Sequence, residues 1–488
     1  MPRAWDTADR DDLHFEPFLH LADVDDDQAL VAWGGFWFHP HGDGSWRIVD
    51  DEQLHRIEPG RSESIGARSA PYGDARVQVF DDDGRVVASA ETSEANHLWV
   101  RGLRPATTYR YEVTVDGRPW APEECKRWER LDGERGRLVP AGRTYDCRFR
   151  TFPDPDGDDP VRLRFAAIGD YGVGIQTDDP QGDHQLRIAR VLERLVDDDA
   201  VDLVLTLGDN IYHLEGESIG GSGAEDDDWY FSFYEPYRFV ISRMPVYPTV
   251  GNHDSDETEA SDDRGQLADN HYTDLRFQAS VEDDRSSVEL EGDDLPGLFY
   301  RFSYGRLVEF VCVDTSEAGA FEAERFFDEP EHQPFLDDTF DAERPDRRRW
   351  TIPFSHHPAY CAGPHHENDD AQIRTLVPRY RDGGVRVMLA GHEHNFQHGE
   401  VDGLHQLICG AGGKLREGEP PRTREAGTRS WAAAPHLLLA HVDHDRIELT
   451  AVGDLDDDGR PVPIEVEVVD GADGDPFPIV IEAGGPPA

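Results

Sequence analysis

Five short runs carry side chains of metal-ligand type, in this order: Gly169-Asp170, Gly208-Asp209-Asn210-Ile211-Tyr212, Gly251-Asn252-His253-Asp254, His356-His357-Pro358 and Gly391-His392-Glu393-His394. Together they offer carboxylates, an amide oxygen, a phenol and several imidazoles. Carboxylate and imidazole gathered around two ions about 3.5–4 Å apart is the usual two-metal hydrolytic arrangement, in which a metal-bound water loses its proton and attacks phosphorus in line. A single Tyr or His near a strand end is ordinarily packing or a satisfied surface group. Five ordered runs of this composition are not a coincidence. Asp170 and Asp209 each close an apolar run, where a carboxylate can bridge two cations. His392 and His394, two apart on one loop, can face two different ions.

The elements that must position these residues are readable from periodicity. Residues 161–168 form a largely apolar strand ending at Gly169-Asp170, and 185–196 place Leu186, Ile188, Ala189, Leu192, Leu195 and Val196 at a helical period. Residues 201–207 and 246–250 are further buried strands, ending at Gly208-Asp209 and Gly251-Asn252. Strands at 307–313, 350–355 and 385–390 follow, with a helical stretch at 372–381. Strand, ligand, helix, repeated, is α/β layering, and ligands in such sheets sit at the carboxyl ends of strands. The β segments at 404–409, 437–442 and 447–452 predict a second sheet that completes a sandwich. Upstream, 85–91 and 109–115 alternate inward and outward side chains between Gly and Asp turns, an all-β pattern. The expected division is therefore an N-terminal extension (1–16), a β-sandwich (17–153), a Pro- and Asp-rich linker (154–160), a catalytic domain (161–453) and an acidic C-terminal β segment or tail (454–488).

Bulk composition bounds the function. With 101 acidic against 48 basic residues the net charge is −53, spread over the chain rather than gathered in a tail. Such a surface repels itself at ordinary ionic strength, whereas at roughly 1 M salt the Debye length shrinks to ~3 Å. Scarce Lys and abundant Asp fit a halophilic, salt-rich cytoplasm. Recurrent aromatic and β-branched residues exclude general disorder, and the absence of a basic stripe argues against duplex nucleic acid as a partner. The start has no apolar h-region and no run approaches the ~20 apolar residues of a membrane span, so a cytoplasmic protein without membrane attachment is expected, with secretion left open. The five Cys have no CxxC spacing; Cys125 and Cys147 could pair, but free or buried thiols are favoured.

The five runs resemble those of the calcineurin-like metallophosphoesterases, and more closely the purple acid phosphatases. The general superfamily begins with Asp-x-His; here Asp170-Tyr171-Gly172 lacks that His, and a Tyr stands three residues after the second Asp, at Tyr212. The purple acid phosphatases share both features. A hard, anionic phenolate favours Fe³⁺ over Zn²⁺ or Mn²⁺. The resemblance thus implies a ferric site of Asp170, Asp209, Tyr212 and His394, and a divalent site (Fe, Zn or Mn) of Asp209, Asn252, His356 and His392. His356 is preferred to His357 because Pro358 sets the His-x-Pro register. It further implies that His253 faces the phosphate, with Asp254 holding its tautomer, and that His365, with His366 as the competing register, is the second substrate-facing His. Either His253 or His365 could protonate the leaving alkoxide, and Asn395 would support the last ligand. The fold implied is a four-layer α/β/β/α sandwich. It is preceded by an all-β domain whose Leu103–Tyr111 stretch resembles fibronectin type III.

The activity implied is hydrolysis of small phosphate monoesters by a metal-bridging hydroxide. A phosphodiesterase of the same superfamily and a non-catalytic phosphate-binding homologue are the competing readings; oligomeric state is open. Asp454-x-Asp-x-Asp-Gly459 with Glu465 matches a calcium-loop pattern, but Pro461 and Pro463 favour an acidic β-turn. Gly410-Ala411-Gly412-Gly413-Lys414 lacks P-loop spacing and is expected to let backbone pass close to the metal site.

Overall fold

The computed structural model describes residues 13–49, 51–61, 64–131, 135–157, 160–176, 180–212, 228–254, 263–273, 287–288, 299–316, 332–366, 373–469 and 476–483. Most of the expected N-terminal extension lies outside this set. The chain is in β structure from His14, because the first strand, His14–Val24, pairs along its length with Gln28–Pro40.

Four sheets organise the described residues: a six- and a five-stranded sheet upstream, then a seven- and a nine-stranded sheet. In the seven-stranded sheet, Val246–Tyr247, Leu203–Thr206 and Leu163–Ile168 lie parallel side by side. In the nine-stranded sheet, Val308–Cys312, Trp350–Phe354, Val387–Ala390 and Leu404–Cys409 are parallel neighbours. Every expected ligand run follows one of these parallel strands.

Period-two alternation sorts the strand residues between faces. Phe165 and Ala167 join one core with Phe310, Ile352 and Leu389 of the other sheet, and the Phe165 and Phe310 rings meet edge-on at 5.1 Å. Ala166 and Ile168 point the other way, onto Ile188, Leu192 and Leu195 of the Pro180–Asp197 helix. On the nine-stranded sheet, Val311 and Met388 pack under Phe335, Leu376 and Tyr380.

Two expectations about the C-terminal third need correction. The late strands do not form a sheet of their own. Leu404–Cys409 lies beside Val387–Ala390, whereas Leu437–Val442 crosses to the other sheet and pairs antiparallel with Leu163–Ile168. Nor does 454–488 stand apart: Ile479–Glu482 pairs with Arg446–Leu455, and Glu467–Val468 with Thr428–Ala432. In the first of these Ile479 and Ile481 are buried by joining an existing edge, whereas Glu467 and Val468 stay exposed. The Asp454–Glu465 pattern is a β-hairpin, in which the Asp456 carboxylate accepts the N–H groups of Asp458 and Arg460 at 2.9 and 2.8 Å. None of the five Cys is in a disulfide. No helix among the described residues is long and apolar enough to cross a membrane.

The upstream β region is fastened to the catalytic part at several places, among them one helix and the turn before it. Phe18 and Phe36 pack on Tyr230 and Tyr234, in a π-helical turn continued by Glu235–Ile241. The buried Arg238 guanidinium of that helix reaches Glu16 Oε1 at 3.1 Å, donates to the Lys126 carbonyl and lies 4.1 Å over the Phe18 ring.

Candidate metal centre

Backbone conformation at the strand ends turns the donors inward. Among the described residues, Asp170, Asp209 and His392 are three of the eight non-glycine positions with left-handed φ, at 54°, 50° and 70°. Such conformations cost roughly 1–2 kcal/mol each and cluster where surrounding structure imposes them for function. The flanking glycines leave the room: a Cβ on Gly391 would lie 2.6 Å from Asp170 Oδ2, and one on Gly410 2.8 Å from the same oxygen.

The donors fall into two groups that share Asp209. Tyr212 Oη lies 2.8 Å from Asp209 Oδ2, 3.2 Å from Asp170 Oδ1 and 3.4 Å from His394 Nε2. His394 Nε2 is 3.2 Å from Asp170 Oδ1. In the second group His356 Nε2 lies 3.0 Å from Asn252 Oδ1, 3.2 Å from His392 Nδ1 and 3.3 Å from Asp209 Oδ1. His392 Nδ1 is 3.0 Å from Asn252 Oδ1. Donor-to-donor edges of this length are those of a coordination polyhedron around an ion at about 2.0–2.2 Å from each ligand. The residues present therefore fit a pair of cations.

Electrostatics point the same way. Burial and the neighbouring Asp209 charge push the Asp170 carboxyl up. Asp209 is buried as deeply, yet the His356 and His253 rings overcome its desolvation and hold it at about 2. Burial and neighbouring imidazoles drive His392 far down, and burial with Arg416 takes His394 to about 3, so both rings offer lone pairs. His356 is pushed up, as Asp209 and Asp170 outweigh its burial; its Nδ1 faces the Leu207 carbonyl at 2.8 Å, which leaves Nε2 inward. Burial, Asp170 and Asp209 raise the Tyr212 phenol well above its ordinary value. Only a strong Lewis acid beside it would make a phenolate.

The other expected residues separate. His253 donates its backbone N–H to Asp209 Oδ1 at 3.0 Å and lays its ring 4.6 Å from that of Tyr212. Asp254 does not hold its imidazole. It is fully buried and accepts from Gly251 N–H, Asn210 N–H and Nδ2, and Ile211 N–H, which ties the second run to the third. His357 meets Thr315 Oγ1 at 3.1 Å, while its ring lies 4.2 Å from that of His392. His366 stacks on the His392 ring at 3.8 Å, with the exposed His365 next to it at 4.6 Å. Asn395 donates to the Gly363 carbonyl rather than supporting a ligand side chain directly.

Sequence reasoning missed Glu393. Its buried carboxylate accepts the N–H groups of His365 and His366 at 3.2 and 2.7 Å and pairs with Arg416 at 3.3 Å. The signal was present: in an extended turn, the residue between two inward imidazoles points away from them, and an acid there needs a buried partner. Backbone from 412 to 414 does pass close by, as the N–H groups of Gly412, Gly413 and Lys414 bond to Gly169 and Asp170 carbonyls at 2.9–3.0 Å.

The chain is similar to known phosphoesterases. Residues 163–396 match the calcineurin-like phosphoesterase family. Purple acid phosphatase 7 of Arabidopsis thaliana is 25% identical over 269 residues, 51% of this chain and 70% of that protein. Purple acid phosphatase 17 of the same plant is 24% identical over 275 residues, 53% and 70% of the two chains. The solved structure of PhoD superposes with a TM-score of 0.57 at 12% identity, covering 92% of this chain and 88% of that one. Purple acid phosphatase PPD1 from yellow lupin (Lupinus luteus) seeds gives 0.52 at 14% identity, with 92% and 73% covered. At these identities the two structures speak for the fold alone. The family implies two metal ions. The calcineurin-like phosphoesterase match over residues 163–396 and the similarity to purple acid phosphatases support a metal-dependent phosphoesterase.

Proposed function

We propose that the chain hydrolyses small phosphate monoesters with a ferric ion held by Asp170, Asp209, Tyr212 and His394 and a divalent ion (Fe, Zn or Mn) held by Asp209, Asn252, His356 and His392. The observation that carries this reading is the division of Asp209, whose Oδ2 lies with Tyr212 and whose Oδ1 lies with His356. A bound pair of ions supplies a nucleophilic water at neutral pH and charge stabilisation for the phosphoryl group. Among the chain's own residues, His253 approaches from the Tyr212 side and protonates the leaving alkoxide. His366, stacked on His392, and His365 beside it form the other wall and orient the ester. Buried Glu393 keeps that wall in place.

The N-terminal β region is read as a fibronectin type III-like sandwich, supported by the Tyr109 hydroxyl, which accepts the Arg104 N–H at 2.9 Å. The two facing sheets with their outer helices are read as the α/β/β/α arrangement. The acidic surface is read as an adaptation to high salt.

Metal analysis together with a visible spectrum tests the centre. The purified enzyme should contain iron and show a charge-transfer band that Tyr212→Phe abolishes. A colourless, fully active protein with only divalent metal would sink the ferric assignment and leave the hydrolase standing.

A further inference from the structure

Only two of the 48 basic residues are lysines, Lys126 and Lys414, and the second lies at the metal centre. Lys414 Nζ sits 4.6 Å over the Tyr212 ring, and its backbone N–H donates to the Asp170 carbonyl at 2.9 Å. Two residues on, the Arg416 N–H donates to the His394 carbonyl at 2.8 Å. The Arg416 guanidinium pairs with buried Glu393 at 3.3 Å and keeps a quarter of its side chain exposed. That same Glu393 holds the His365 and His366 backbone. One extended segment thus brings a cation to each side of His394: Lys414 toward Tyr212 and Arg416 toward His365 and His366.

We propose that Lys414 and Arg416 form a cationic rim that makes this centre select phosphomonoester dianions over phosphodiester monoanions. The inference rests on the phosphomonoesterase reading above and adds to it the residues that read the charge of the substrate. A phosphate monoester carries about −1.5 to −2 charges near neutrality, whereas a diester carries one. The chain's net charge of −53 opposes a dianion more than a monoanion. With a Debye length of ~8 Å at physiological salt and ~3 Å at 1 M, distant carboxylates are screened and the groups in contact decide. Charge-assisted N–H bonds to phosphoryl oxygen are such contacts, and they are stronger for the more highly charged ester. In a chain that otherwise nearly excludes Lys, an ammonium is placed beside Tyr212 of the donor set.

The test compares kcat/KM for an aryl phosphate and a bis-aryl phosphate in the metal-loaded enzyme and in Lys414→Met, Lys414→Arg and Arg416→Met, with metal content measured for each. Wild type should prefer the monoester. Lys414→Met should lower monoester kcat/KM by roughly 10- to 100-fold, the loss expected of one charge-assisted hydrogen bond, and the diester value far less. Lys414→Arg should recover most of the loss, and Arg416→Met should shift the ratio in the same direction. Equal losses on both esters, an unchanged ratio, or loss of metal from Lys414→Met would overturn the rim. A wild type that prefers the diester would overturn the monoesterase reading itself.

Discussion

At Asp254 both carboxylate oxygens are in use. Oδ1 accepts from the N–H groups of Asn210 and Ile211 at 2.9 and 3.2 Å, and Oδ2 from Gly251 N–H and Asn210 Nδ2 at 2.8 and 2.7 Å. Asn210 in turn donates to the Thr249 carbonyl at 2.9 Å. The pair therefore sets the spacing between the run that carries Asp209 and Tyr212 and the run that carries Asn252 and His253. In Asp254→Asn an amide nitrogen would face N–H donors, and each buried donor left unsatisfied costs about 1–3 kcal/mol. The variant should melt earlier and hold less metal, read by thermal unfolding and metal analysis. Were its stability and metal content those of wild type, with only the pH profile of kcat displaced, Asp254 would instead be acting on the His253 imidazole.

The parallel strands and the donor-bearing runs that end them were legible because an apolar run closing on Gly-Asp, Gly-Asn or Gly-His combines two independent signals. Sheet membership of the later strands was not. Leu404–Cys409 and Leu437–Val442 are both short and mostly buried, and only long-range pairing sends one to each sheet. The same limit hid the seam between the upstream β region and the Glu235–Ile241 helix, since Glu16, Lys126 and Arg238 stand far apart in sequence and read singly as surface charges. In the folded chain Arg238 and Glu16 are almost fully buried, with side chains 1% and 2% exposed. Burial raises the Glu16 carboxyl, but Arg238, His14 and the Lys126 N–H more than offset it and hold the group low. Removing one partner of a buried pair strands the other charge, at a cost of about 3–5 kcal/mol. Arg238→Ala should therefore lower the unfolding midpoint sharply, and adding Glu16→Gln should recover part of the loss. A double variant no more stable than the single one would show that the guanidinium acts mainly by packing on Phe18.

Over the whole molecule the ion pairs do not neutralise the charge. Fifty-three uncompensated negative charges remain, and many exposed pairs such as Arg76–Glu91 and Arg85–Asp83 are individually weak in water. The compact state confines that charge more closely than the unfolded chain does, so self-repulsion falls on the folded side of the equilibrium. Screening should relieve it. Between about 0.1 M and 1 M salt the Debye length drops from ~10 Å to ~3 Å, which removes interactions between separated carboxylates while leaving buried pairs such as Arg238–Glu16 largely untouched. The unfolding midpoint should therefore rise steadily with KCl or NaCl over this range. The sign follows from which state carries the denser charge: a midpoint that stayed flat or fell with added salt would mean that the surface pairs, and not the net repulsion, dominate the balance.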